Sequence, residues 1–301
     1  MHEELEIWAN HFDYHAGQAR CPAAGIEDVL RPEERRRIAR SIATFQLGER
    51  SSGATLRRAA ERFARAQALP MLPRIVERLV QEEHRHARLL AAFMADHRIP
   101  LRASDWTDRV FRCARRLAGL ELYFYILVSA ELVGIGYYRA LAEATRCRRL
   151  EQLCRLFIAD ELAHVGFESA LLLALRARRP AWQRALLLGM HRVFVAGTAL
   201  LVWLTHRPVL RPEHGSARRF VGACLAGFDF YLGPVPLAIE AARTRYRAPP
   251  APSPLAPPPP LAPPPPLAPP LAPPLAPPGV HSEAAFKKAR LSRNTVVLPG
   301  G

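Results

Sequence analysis

Two stretches decide how this chain is read: Glu83-His84-Arg85-His86 and Asp160-Glu161-Leu162-Ala163-His164. Each sets a carboxylate three residues before an imidazole inside sequence of helical period. At about 3.6 residues per turn, positions three apart share a helix face with Cβ atoms about 5–6 Å apart, close enough to share a metal ion. One such pair arises easily by chance. It carries weight only where other helices bring carboxylates to meet it.

Two do. Pro32-Glu33-Glu34 starts a helix, with proline in the first turn and acids at the positive end of the helix dipole. Ile38, Ile42, Phe45 and Glu49 follow at helical spacing, so Glu49 continues an apolar stripe where an uncompensated carboxylate is costly. Gly48, Ser51, Ser52 and Gly53 loosen this helix, which is expected to resume to about Ala66. Pro70 and Pro73 open the second helix. Its inner face reads Ile75, Leu79, Glu82, Glu83, His86, Leu90 and Phe93, and it fades at Asp96–Pro100. The third helix, about Leu120–Thr145, holds a single charge, Glu131, between Glu121 and Arg139. A carboxylate inside so apolar a run stays protonated or has a partner. The fourth, about Arg148–Arg178, carries Leu150, Leu153, Cys154, Phe157, Glu161, His164 and Glu168 on one face. Between the second and third helices, residues 99–118 include a short helix expected at Trp106–Arg116 behind a Ser104-Asp105 cap. That length lets the chain travel a bundle height of about 30 Å, as a crossover between parallel helices requires.

Composition frames this core. Of 29 prolines, ten precede Pro249 and the rest fall from it onward, in repeats of Leu-Ala with two or four prolines. Residues 248–301 therefore read as a disordered low-complexity tail biased to polyproline II, ending in a basic piece. Net charge is +15, and the tail's Lys287, Lys288, Arg290 and Arg293 against Glu283 leave the body near +12, largely arginine. That balance favours anionic partners and bears on association rather than fold. The five cysteines are scattered without a CxxC, which excludes a zinc ribbon and fits a reducing cytoplasm. Residues 1–30, with Trp8, Phe12 and Tyr14, read as a segment docking on the body; Glu3, Glu4 and Glu6 do not fit a signal peptide. Past Pro180, helices are expected at about 181–205 and 216–245, an added pair spanning 181–247. The run Val193–Thr205 is apolar all round and, at thirteen residues, short for a membrane span of about 20. It is read as a buried helix, with contact to a membrane surface as the alternative.

Collected in order, the inward acids and imidazoles are Glu49; Glu83 and His86; Glu131; Glu161 and His164. One Glu from each of two helices plus Glu-x-x-His from each of two others is the ligand pattern of dinuclear carboxylate bundles. Over about residues 31–180 the chain thus resembles the ferritin-like superfamily of non-haem di-iron proteins. The resemblance implies an all-α fold: a ferritin-like four-helix bundle with a long crossover between helices 2 and 3, here followed by two additional C-terminal helices and the Pro-rich tail. It also implies two iron ions, or a manganese–iron pair, since four carboxylates and two imidazoles suit those metals better than structural zinc. In such proteins an acid before the Glu-x-x-His glutamate holds the opposite histidine by its free ring nitrogen. Those positions are Glu82 and Asp160, so Asp160 is expected on His86 and Glu82 on His164, with Arg85 joining one of the acids. Glu168, one turn past His164, reads as a supporting carboxylate behind the ligands.

Departures from the pattern narrow the likeness. Ribonucleotide reductase small subunits place a radical tyrosine where Leu90 stands. Bacterial multicomponent monooxygenases have threonine at the place of Ile135, and arylamine oxygenases a histidine at that of Phe157. Rubrerythrins add a cysteine-ligated domain. Gln46-Leu47-Gly48-Glu49 and Ala130-Glu131 with Tyr137-Tyr138 look most like bacterial ferritin-like domain proteins of unassigned substrate. The expected activity is an O₂- or peroxide-activating oxidoreductase, with Glu83 and Glu161 bridging, Glu49 and Glu131 terminal, and Phe45, Phe124, Leu127, Tyr138 and Phe157 as an apolar wall. Its partners would be a small-molecule substrate and an external electron donor. Iron handling (ferroxidase) and hydroxylation of a tRNA base are the alternatives; nucleic acid, a membrane surface and a second copy in a homodimer are further partners the charge and surface allow.

Overall fold

The structure, a computed structural model, describes residues 2–18, 28–51, 53–105 and 119–233, with only the backbone at 212–214. The short helix expected at 106–116, the tail at 248–301 and the end of the last expected helix lie outside the described residues. Within them the fold is all-helical, with no strand.

The first helix, α1 (His2–Ala16), buries Leu5, Trp8, Ala9 and Phe12 and packs on α4. Next, α2 (Pro32–Glu49) starts where proline removes an N–H that would be unpaired anyway, and Glu34 Oε2 accepts the Arg31 N–H at 3.0 Å. It buries Ile38, Ile42 and Leu47. The expected loosening after Gly48 is a full break: α2 ends at Glu49 and a separate α3 (Ala54–Gln67) begins after Gly53, whose φ of +65° is open to glycine and strained for other residues. A Cβ at Gly53 would also lie 2.6 Å from Val80 Cγ1, so the turn needs glycine for space as well.

The two long pairs follow. In α4 (Leu72–Asp96), Ile75, Leu79, Glu82, His86, Leu90 and Phe93 are buried along one stripe. α5 (Leu120–Glu143) packs extensively on α6 (Arg148–Ala177), and α4 touches both α2 and α6. Glu131 in α5 and Asp160, Glu161, His164 and Glu168 in α6 are all buried.

The added pair departs from expectation. α7 (Ala181–His214) does not stop near 205: it kinks at His206 (φ −120°, ψ 22°) and continues. Pro208 explains the kink, since it lacks an N–H and its ring crowds the carbonyl four residues back. α8 (Ala217–Leu232) is capped by Ser216, whose Oγ accepts the Arg219 N–H. Both pack on α5, and α7 also meets α2. The run 193–205 is not buried all round. His191, Val195, Ala199 and Trp203 face the core, whereas Val193, Leu200 and Leu204 face outward. Hydrophobicity on every side of a helix identifies no covered face, and here the described residues cover only one.

Candidate metal centre

Six side chains from four helices converge. Glu49, Glu83, His86 and Glu161 form one group, and Glu83, Glu131, Glu161 and His164 a second, each offering ligand atoms within 4.8 Å of one another. Glu83 and Glu161 are common to both. The short approaches are His164 Nδ1 to Glu83 Oε1 at 3.1 Å, His164 Nδ1 to Glu161 Oε2 at 3.3 Å and His86 Nδ1 to Glu161 Oε1 at 3.4 Å. Both histidines are fully buried, while Glu49 and Glu83 are half-buried.

The outer ring nitrogens are occupied. His86 Nε2 lies 3.0 Å from Asp160 Oδ2, and His164 Nε2 lies 2.9 Å from Glu82 Oε2. Arg85 Nη2 donates to the same Asp160 oxygen at 2.8 Å and approaches Glu82 Oε1 at 3.4 Å. With each Nε2 engaged by a carboxylate, the Nδ1 atoms point into the cluster. There they have no hydrogen-bond partner, and neither do Glu83 Oε1, Glu131 Oε2, Glu161 Oε2 or both oxygens of Glu168. Buried polar atoms are nearly always paired, so a convergent set of partnerless oxygens and imidazole nitrogens is compatible with metal binding.

Electrostatics point the same way. Burial, with Glu83 and Glu161 beside it, pushes Glu49 well above the usual carboxylate range; burial and then Glu168 do the same to Glu131. Burial likewise raises Glu168. Against burial, bonds to His164 and Glu49 hold Glu83 down at about 2, and Asp160 and Glu161 hold His86 up at about 10. Without a cation, the cluster keeps its negative charge in check with protons on some acids and both imidazoles. A dication would take their place.

Tyr138, expected only as part of an apolar wall, has a polar role: its hydroxyl donates to Glu49 Oε1. Burial and then Glu49 push that phenol well up, so it stays a donor. Two other neighbours were not identified as site residues from sequence. The ring of Phe12 in α1 lies 5.8 Å from that of His164, and no local signal announces a contact between residues so far apart in the chain. His206 of α7 lines the cavity beside the cluster. His84, inside the first motif, points away and bonds Ser51 O at 2.8 Å. Phe157 packs on His86 at 4.5 Å.

A cavity of about 180 Å³ reaches Glu49, Glu83, Glu131 and Glu161. Its walls are mainly apolar, with Phe45 from α2, Ile126 and Leu127 from α5, and Leu201 and Val202 from α7. Exposed Gly48, Ala130 and Thr205 mark its mouth. A third group of metal-ligand types, Asp28, His97 and Cys147, differs in kind. Arg149 Nη1 sits 2.6 Å from Asp28 Oδ2, and His97 Nε2 lies 2.7 Å from its other oxygen, so both oxygens of this carboxylate already have partners.

Comparison with models of known protein families, with curated proteins and with solved structures finds no match to this chain.

Proposed function

We propose that this chain is a ferritin-like protein that binds two iron ions, or manganese and iron, and activates O₂ or peroxide to oxidise an apolar small molecule. The observation that carries this reading is the pair of partnerless Nδ1 atoms turned toward shared Glu83 and Glu161. Glu49 and His86 would complete one site, Glu131 and His164 the other. The metals, when bound, supply the redox chemistry, with an external electron donor closing the electron balance.

The protein's own residues do the rest. Asp160 and Glu82 fix the tautomer and aim of the two imidazoles; against burial, His164 and then Arg85 hold Glu82 low, and Arg85 donates to Asp160 Oδ2. Tyr138 donates to Glu49 Oε1 and so leaves Oε2 as the oxygen that would take a proton, and Glu168 stands behind Glu131 as a proton reservoir that is closed to solvent. The apolar cavity excludes water and seats the substrate against the carboxylates. That cavity is also what favours an organic substrate over metal ions as cargo.

The test is metal content and reactivity. Full-length protein loaded anaerobically with Fe(II) should take up two ions per chain, and O₂ should produce a transient visible absorbance. Glu131→Ala should bind less metal and lose the transient. Wild type that retains no metal, or that stays colourless with O₂, would sink the reading.

A further inference from the structure

We infer that α7 seats this protein on an anionic membrane surface and turns the cavity mouth toward the acyl layer, so that the substrate is an uncharged apolar molecule drawn from the bilayer. The choice of substrate source rests on the proposed oxidase reading; the membrane contact does not.

The starting observation is a stripe. Trp182, Leu186, Met190, Val193, Leu200 and Leu204 are 66%, 55%, 55%, 73%, 44% and 57% exposed, spaced three or four residues apart with Gly197 filling the one gap. Such spacing keeps them on one face of α7 for about 33 Å at 1.5 Å per residue. Large side chains standing in water in an unbroken line are unusual on a soluble monomer and mark an interaction surface. The most apolar 18 residues within Ala181–Arg211 have a mean hydropathy of 1.8 and only 22% of them are buried, whereas 67% of the corresponding window in Leu120–Glu143 is buried, as in a core helix.

Charge selects the occupant. From 181 to 211 the helix has no Asp or Glu, and Arg184, Arg207 and Arg211 are exposed, while Arg192 is exposed but held by Asp229. Exposed Arg178 precedes the helix, beside an Arg179 paired with Glu121, and exposed Arg218 and Arg219 follow it. A second copy of the same face would oppose arginine with arginine. Anionic lipid headgroups pair with them instead, while the stripe enters the acyl boundary and Trp182 sits near one end, where an indole favours the interface.

Geometry sets the mode. Along the same helix, His191, Val195, Ala199, Trp203, Val209 and Leu210 are buried in the protein. A helix fastened to the body on one side along its length lies on a bilayer; it cannot cross one without carrying α5 and α2 in with it. The cavity mouth is then beside the membrane. Thr198, Leu201, Val202 and Thr205, which line the cavity, alternate along α7 with the stripe residues Leu200 and Leu204. Among the described residues, no arginine or lysine lines the cavity. An apolar chain or ring can pass from the acyl layer past Thr205 without meeting a fixed cation.

Flotation of the full chain with vesicles of phosphatidylcholine containing about one third phosphatidylglycerol tests this. The wild type should float with them, and less with phosphatidylcholine alone. Val193→Glu with Leu204→Glu should cut partitioning about tenfold or more, the loss expected from keeping even one aliphatic side chain out of the apolar phase. Because both positions are exposed, the variant should keep the wild-type thermal unfolding curve; Arg207→Glu with Arg211→Glu gives a second, salt-dependent loss at sites outside the core. On brominated lipid, emission removed by Trp182→Phe should be quenched, and so should the emission gained in Thr205→Trp. Wild type that stays with the soluble fraction overturns the proposal. So does a dimer in light scattering that Val193→Glu dissolves while no lipid is bound. Quenching at Trp182 but not in Thr205→Trp overturns delivery from the bilayer. Glu131→Ala should float as the wild type does, so failure of the metal reading would show as lost metal with flotation intact.

Discussion

Each imidazole of the cluster spends one nitrogen on a carboxylate and keeps the other for the interior, and that division makes a sharp prediction about Asp160. Its Oδ2 takes bonds from both His86 Nε2 and Arg85 Nη2. Asp160→Asn keeps the volume but loses the charge that fixes the His86 tautomer. Metal affinity should fall about 10–100-fold, measured by competition against a chromophoric chelator, with helix content unchanged. Equal affinity in the variant would mean that Asp160 serves packing alone. A second residue titrates where no metal reading is involved. His191 is fully buried, stacks on Tyr125 at 3.7 Å, lies 2.9 Å from Tyr125 O through Nε2 and faces Arg176 Nη2 at 3.2 Å through Nδ1. Burial and then the Arg176 charge push it down to about 3. Folded protein therefore binds that proton later than unfolded protein, whose histidine titrates near 6.5, so this residue subtracts stability as pH falls from about 6.5 toward 3. Its share of the slope is about 1.4 kcal/mol per pH unit. His191→Gln should be less acid-sensitive than the wild type by that slope in urea unfolding between pH 6 and pH 4. Parallel curves would show that His191 is already protonated in the fold.

At the scale of elements, α1 is the piece whose removal should be felt at the centre. Trp8 and Phe12 pack on Phe167 at 6.0 and 5.9 Å, and a Cβ on Gly166 would come within 2.9 Å of Trp8 Cη2, so the indole sits directly on α6. Trp8→Ala should destabilise by about 3–5 kcal/mol in urea unfolding, the cost of an unfilled aromatic site in a core. A loss under about 1 kcal/mol would mean that α1 is a loose appendage. The sequence made the existence of α1 legible through Trp8 and Phe12, but not the partner, because nothing local links residue 12 to residue 164. The cluster residues were legible for the opposite reason. Glu49 and Glu131 interrupt apolar stripes, and the two carboxylate–imidazole pairs repeat within single helices, so their placement is a matter of local period. The fate of α7 was hidden by its uniformity: with apolar residues on all sides, only the packing of α5 and α8 decides which are covered. The expected end near residue 205 fell short for a related reason: a kink at Pro208 that tertiary contacts satisfy lets the helix continue past it.

For the whole molecule, the question is how much of the fold depends on what the cluster holds. Four carboxylates and Glu168 crowd one mostly buried region, and the raised Glu49, Glu131 and Glu168 mean that folding at neutral pH must gather protons or cations to proceed. In a metal-free protein these acids oppose folding, because each is more easily ionised in the unfolded chain. A bound ion reverses the sign, contributing about 2.7 kcal/mol per site when free metal is 100-fold above its dissociation constant. Two such sites should raise Tm by about 10–20 °C for a chain of this size, and chelation should reverse it. Glu131→Gln separates this from ordinary packing. The neutral isostere removes an uncompensated acid, so the metal-free variant should be at least as stable as metal-free wild type, by about 1 kcal/mol or more, while the metal-induced rise shrinks by about half. Calorimetry with Mn(II), which avoids oxidation, reads both numbers. If Glu131 were a core residue held by packing alone, the substitution would lower Tm with and without metal by the same amount, and that parallel shift would remove the reason to regard the cluster as a metal centre.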